Sequence, residues 1–161
     1  MTPPAAHPRF TDALRALGLD GLPTRGFPES TRTAAEAAAA IGCELSQICK
    51  SLIFAADGTP VLVLMDGASR VDVERVRAEL GAGKVTRAAA DVVRETTGYA
   101  IGGVPPFGHR TRTRVLADRS LLAHDVVWAA AGNPHVVFPM APADLVRHAD
   151  ATLVDVRERA A

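Results

Sequence analysis

The sequence predicts an α+β fold in which helices flank a mixed, curved, barrel-like β-sheet. Three observations carry that expectation. Runs dense in Val, Leu, Ile and Phe recur at 48–56, 60–65, 114–117, 126–131, 136–138 and 152–156, and helical segments fall among them without the strict alternation of a parallel βαβ array. Asp57-Gly58 separates the first two runs and is the dipeptide favoured where a hairpin turn needs positive φ. At 161 residues the chain can fill one core but not two, so residues 1–161 are expected to form a single domain, with 1–10 as a flexible N-terminal extension.

Local signals place the elements in order. Thr11 is positioned to cap a short helix whose apolar face is Phe10, Ala13, Leu14 and Leu17, ended by Gly18. After an irregular stretch from Gly21 to Pro28, Thr33 and Glu36 have capping-box spacing, Ala34 to Ala40 favours helix strongly, and Gly42 stops it. The 48–56 and 60–65 hairpin follows, with Lys50 near the start of its first strand. Val71, Val73, Val76 and Leu80 give a third helix between Asp72 and Gly81. Val85 opens a short strand, and Ala88 to Thr97 forms a fourth helix ended by Gly98. Gly102 to Gly108, with three glycines and two adjacent prolines, must be a shaped loop. Arg114 to Ala117, Val126 to Ala131 and Val136 to Phe138 are strands, Pro142 to His148 a helix opened by proline, and Thr152 to Val156 a last strand.

Composition narrows the function. Lys plus Arg equals Asp plus Glu at 18 each, which removes the case for a broad basic face, so any RNA contact is expected to be local. The apolar runs are far shorter than the roughly 20 residues that span a bilayer, and prolines at 3, 4 and 8 with no apolar core exclude a secretory signal. A cytoplasmic protein is expected. Cys43 and Cys49 lack a zinc or redox spacing and read as free thiols. The five histidines are scattered, no Gly-x-Ser-x-Gly elbow occurs, and neither a metal nor an organic cofactor is expected.

Three features could carry chemistry. Lys50 interrupts an apolar strand, where an ammonium must reach water, a carboxylate or a ligand; the plainer alternative is a strand-end lysine extending to solvent. The loop Gly98 to Gly108 has paired glycines at 102 and 103 that admit close backbone approach and free N–H groups, or it is a tight connection only. Arg110, Arg112 and Arg114 would line one face of an extended segment together with Gly108, facing either phosphates or solvent.

These residues, in order, resemble the YbaK/ProX aminoacyl-tRNA deacylases. The match runs through Ser30 to Gly42, Gln47 to Phe54, Pro60 to Gly67 with Val71-Asp72, Thr96-Thr97-Gly98-Tyr99 and Gly102 to Gly108. Its most specific part is Lys50 followed by the Gly-x-x-x-Pro loop at Gly102 to Pro106; Asp118 also fits. The resemblance implies a barrel-like sheet and hydrolysis of the ester joining a wrong amino acid to the tRNA 3′ end, most readily tRNA(Pro) carrying Ala, Cys or another small residue. It implies Lys50, Gly102 and Gly103 as the catalytic set, and Ser51, Thr97, Val104, Pro105, Pro106, Asp118, Ala130 and Gly132 as substrate contacts. Arg110, Arg112 and Arg114 would hold tRNA, with prolyl-tRNA synthetase or an elongation factor as possible protein partners. Members acting on Cys-tRNA(Pro) carry Ser near Ala130 and a polar residue near Val137, so the apolar pair here weakens the case for cysteine. The alternative is a non-catalytic tRNA- or partner-binding module of the same fold.

Overall fold

The computed structural model describes residues 4–159. Helix α1 spans Pro8–Ala16, α2 Ala34–Ile41, α3 Val73–Leu80, α4 Ala90–Thr97 and α5 Pro142–His148. The strands are β1 Arg25–Gly26, β2 Cys49–Ala56, β3 Thr59–Asp66, β4 Val85–Arg87, β5 Arg114–Asp118, β6 Val127–Ala130, β7 Val136–Met140 and β8 Thr152–Val154. Capping explains several helix ends. Thr33 and Glu36 close the capping box of α2, Asp72 accepts from the N–H groups of Glu74 and Arg75, and Gly42, Gly81 and Gly98 end their helices in the left-handed region. Helix α1 begins earlier than its apolar spacing suggests, because Pro8 occupies the first turn and the His7 ring accepts from the Arg9 N–H.

The barrel-like surface expected from the sequence is two sheets that do not close. The larger has the order β4-β2-β3-β5-β8 and the smaller β1-β7-β6; a single bridge, Ile48 to Trp128, links them. In the large sheet β2 and β3 form the hairpin, with Asp57 and Gly58 both at positive φ, while β5 and β8 run parallel to β3. Both faces of this sheet are covered. Cys49, Ile53, Leu62 and Leu64 pack toward the small sheet, α1, α4 and α5, whereas Phe54, Val63 and Met65 pack against Val76 of α3 and the C-terminal Val154 and Val156. Two-sided burial is why β3 reads as an unbroken apolar run instead of an alternating one.

Of the stretch expected to be a flexible extension, residues 4–10 are described and lie against the fold. The His7 N–H donates to the Ala131 carbonyl, the Asn133 side chain donates to the Ala5 carbonyl, and Phe10 is fully buried. Glycines make room for this segment: a side chain at Gly26 would strike Pro4, at Gly98 Arg9, at Gly108 Ala13, and at Gly132 His7. The N-terminal segment therefore closes over both ends of the loop 98–108.

Candidate active site

Strand β4 pairs with β2 only over Phe54–Ala56, and β6 meets β2 only at the Ile48–Trp128 bridge, so β2 from Lys50 to Ile53 has no ladder partner on that edge. A pocket of about 270 Å³ lies along that edge. Across from it, Ala130 and Val137 are register partners on β6 and β7 and enter the pocket from the same face, with Trp128 two residues away on that face. The first turn of α2 and the residues before it complete one wall; Ile101, Gly102 and Val104 of the loop complete another.

Lys50 is half-buried at this edge, and its Nζ donates to the Ser69 carbonyl at 2.5 Å. Burial holds its pKa below the ordinary lysine value; the Asp66 carboxylate opposes that shift, and Arg87 and Arg70 add to it. Asp66 is itself occupied, accepting from the Ser120 hydroxyl at 2.6 Å and the Ala68 N–H at 2.9 Å. Ser51 follows Lys50 in the pocket wall, and its Oγ is the one enclosed side-chain oxygen or nitrogen among the described residues with no hydrogen-bond partner. The Ile53 carbonyl accepts from Ala88 across the open edge, so Ser51, two residues back along the ladder, turns its own N–H and C=O to that edge. Cys49 also lines the pocket, but burial pushes its thiol up to about 12, which keeps the sulfur protonated and inert at neutral pH.

The loop has a different job from the one its glycines suggest. Gly103 is buried against the Asn133 backbone, and its N–H donates to the Ala100 carbonyl at 2.9 Å, so it is not free to cradle a substrate. Gly102 does line the pocket at φ 90°, but the space a side chain would fill there holds the Arg32 stem, not open room for an ester. Thr97 finishes α4: its hydroxyl donates to the Val93 carbonyl and accepts from the Tyr99 N–H. Pro105 and Pro106 are buried, and the Pro105 carbonyl accepts from His109 Nε2 at 2.6 Å, while burial holds the His109 pKa down. Gly132, at φ 98°, seats His7 and Tyr99.

Asp118 is also framework. Buried at 3% exposure, its two carboxylate oxygens accept from the Val156 and Ser120 N–H groups at 2.8 and 3.0 Å. Asp118→Ala would leave both donors unmatched and is expected to cost about 2–3 kcal/mol, read as a lower urea midpoint with an unchanged slope.

Thus Lys50, Ser51, Gly102, Val104 and Ala130 meet in one pocket, and Thr97, Gly103, Pro105, Pro106, Asp118 and Gly132 lie outside its lining. The three later arginines do not join them. Residues 108–113 are not a strand, so alternation does not align Arg110, Arg112 and Arg114. Arg112 and Arg114 border a separate hollow beside the hairpin turn, near the opposite end of β3, and Arg112 pairs with Asp150 at 2.9 Å. The pocket instead holds two arginines that sequence reading passes over, Arg32 and Arg87, and the chain's one tryptophan, Trp128. Trp128 was within reach, since alternation along β6 puts it on the face of Ala130; Arg87 depends on the β2–β4 register, which local sequence does not encode.

A family model of the aminoacyl-tRNA editing domain matches residues 28–148. The solved structure of a candidate trans-editing enzyme for prolyl tRNA synthetase superposes with a TM-score of 0.89 at 39% identity, covering 96% of this chain and 100% of the other. The uncharacterized protein YwhH of Bacillus subtilis (strain 168) is 35% identical over 120 residues, 74% of this chain and 76% of YwhH. The proline–tRNA ligase of Streptococcus sanguinis (strain SK36) is 31% identical over 129 residues, 79% of this chain but 20% of the ligase, so the chain spans about a fifth of that relative's length. Because the family match runs from the approach to α2 through α5, it encloses every wall of the pocket, and the chain belongs to the aminoacyl-tRNA editing domain family.

Proposed function

We propose that the protein is a trans-editing hydrolase that cleaves the ester joining a wrong amino acid to the 3′ end of tRNA, with tRNA(Pro) carrying alanine, cysteine or another small residue as substrate. The pocket supports this best: it is small, largely apolar, and edged by Lys50, with no carboxylate or imidazole in its lining. That lining suits a reaction without a side-chain base. An aminoacyl ester is already activated, so fixing it beside a cation and an oriented water supplies much of the acceleration. Lys50 anchors the ester carbonyl or the terminal nucleotide, the open edge at Ser51 offers hydrogen bonds to the aminoacyl group, and the substrate's own ribose hydroxyl orients the water. Ala130 and Val137 make the side-chain end apolar, which favours alanine over a polar residue.

Single-turnover deacylation of tRNA(Pro) charged with alanine, cysteine, serine or proline tests the reading. Alanyl-tRNA is expected to react at least about tenfold faster than prolyl-tRNA, the scale on which an apolar pocket separates side chains of different size. Rates no faster than spontaneous hydrolysis for all four would leave the non-catalytic binding module as the correct reading.

A further inference from the structure

We propose that Arg32 and Arg87 form a phosphate seat at the mouth of the pocket, which takes the 5′-phosphate of the nucleotide whose ribose carries the aminoacyl ester. The identity of that nucleotide rests on the deacylase reading; the anion rests on the pocket's own charge.

The formal charges of the chain cancel, yet the pocket is lined by Arg32, Lys50 and Arg87 and by no Asp or Glu. None of these three cations belongs to the six ion pairs among the described residues. Other arginines also stand outside those pairs, so what sets Arg32 and Arg87 apart is that both line one cavity with a half-buried lysine and no carboxylate. The two pocket arginines are placed by their stems and rings, not by a counter-ion. The Arg32 stem rests on the bare Cα of Gly102, and the Arg87 guanidinium lies over the Phe54 ring at 5.6 Å. Phe54 and Arg87 are register partners, so that contact follows from the β2–β4 pairing. Both arginines are exposed, whereas Lys50 lies deeper with its Nζ engaged by Ser69. The division of labour follows: the planar guanidinium fork matches phosphate oxygens and takes the anion at the rim, and the lysine serves the ester below it. Burial is the main cause of the depressed lysine, with Arg87 and Arg70 adding to it, and an anion held by Arg87 would offset that arginine's part.

The test compares two minimal esters, 2′(3′)-O-alanyl-adenosine and 2′(3′)-O-alanyl-adenosine 5′-monophosphate, which differ only in the phosphate. Wild-type protein is expected to favour the phosphorylated ester in kcat/KM by about tenfold or more, the scale of a charge-assisted contact. The Arg32→Gln, Arg87→Gln double variant, checked for an intact thermal transition, is expected to lose at least fivefold more on the phosphorylated ester than on the other. Equal losses on both, or a preference that survives in the variant, would overturn the proposal. A binding arm does not need turnover: AMP and adenosine are titrated against the fluorescence of Trp128, which shares the pocket. AMP is expected to bind more tightly than adenosine, with an advantage that shrinks as salt is raised and in the variant. If no ester is hydrolysed while AMP keeps that advantage, the phosphate seat stands and the hydrolase reading falls. If esters are cleaved with no phosphate preference and AMP binds no better than adenosine, the seat falls and the hydrolase reading stands.

Discussion

Lys50→Ala is expected to slow single-turnover deacylation about 30- to 1000-fold, the 2–4 kcal/mol lost with one positioned electrostatic contact in the transition state. The fold should survive. The Nζ makes one hydrogen bond, to Ser69, and Lys50 sits half-buried at an open sheet edge, not in either core. Losing that bond costs about 1 kcal/mol, and removing a partly desolvated ammonium offsets some of it. Near-normal rates in a folded variant would end Lys50's role.

The same residue sets a pH expectation. Its folded pKa lies below the unfolded one, so between the two values the unfolded chain binds more protons and stability rises with pH. The burial cost is fully present below the folded pKa and disappears as pH climbs toward the unfolded value. Activity runs the other way, because the deprotonated amine no longer stabilises negative charge. After subtraction of spontaneous ester hydrolysis, the alkaline limb of the single-turnover rate should fall below the ordinary lysine range near ~10.4. Lys50→Arg, which does not deprotonate there, should remove that limb from whatever activity it retains. A limb unmoved by the arginine would assign it to another group.

Much of the scaffold was legible because it is specified over a few residues. The Thr33–Glu36 capping box, the Asp57-Gly58 turn, the glycine stops at 42, 81 and 98 and the Pro142 start all act within one turn of chain. The site is specified differently. Lys50 stood out because a charge in an apolar strand is visible locally, but its arginine neighbours come from positions 32 and 87 and meet it only through strand pairing and the packing of α2. The 110–114 arginines looked aligned only on the assumption of a strand. In the structure the segment is held irregular by bonds from the Arg110 and Thr111 N–H groups to the Thr97 and Thr96 carbonyls at the end of α4. Gly103 misled for a related reason: a glycine needed for tight backbone packing on Asn133 has the same letter as one that admits a ligand.

The largest stability effect should come from outside the family-matched span. Phe10 is fully buried, and its ring lies 5.5 Å from that of Phe107 in the loop and 5.1 Å from that of Phe138 in β7. Phe10→Ala removes an aromatic side chain from a packed cluster and is expected to cost about 3–5 kcal/mol, since the surroundings collapse only partly into the space. In a domain of this size that is a fall of roughly 10 °C in Tm. The loss also reaches the site. Phe107 ends the run of buried residues that starts at Gly103, directly after the pocket-lining Ile101 and Gly102, so a loosened Phe107 frees the segment that carries Val104. Measured well below the lowered transition, where the variant is folded, deacylation should fall through a raised KM more than through kcat, because Lys50 stays in place on β2. Leu14→Ala, on the same helix and also buried, provides the comparison. It should lower Tm by a similar mechanism while leaving the rings of Phe10, Phe107 and Phe138 in the cluster. If both variants lose stability and neither changes KM, the N-terminal helix is a brace for the core alone; a KM rise confined to Phe10→Ala would show that it positions the loop.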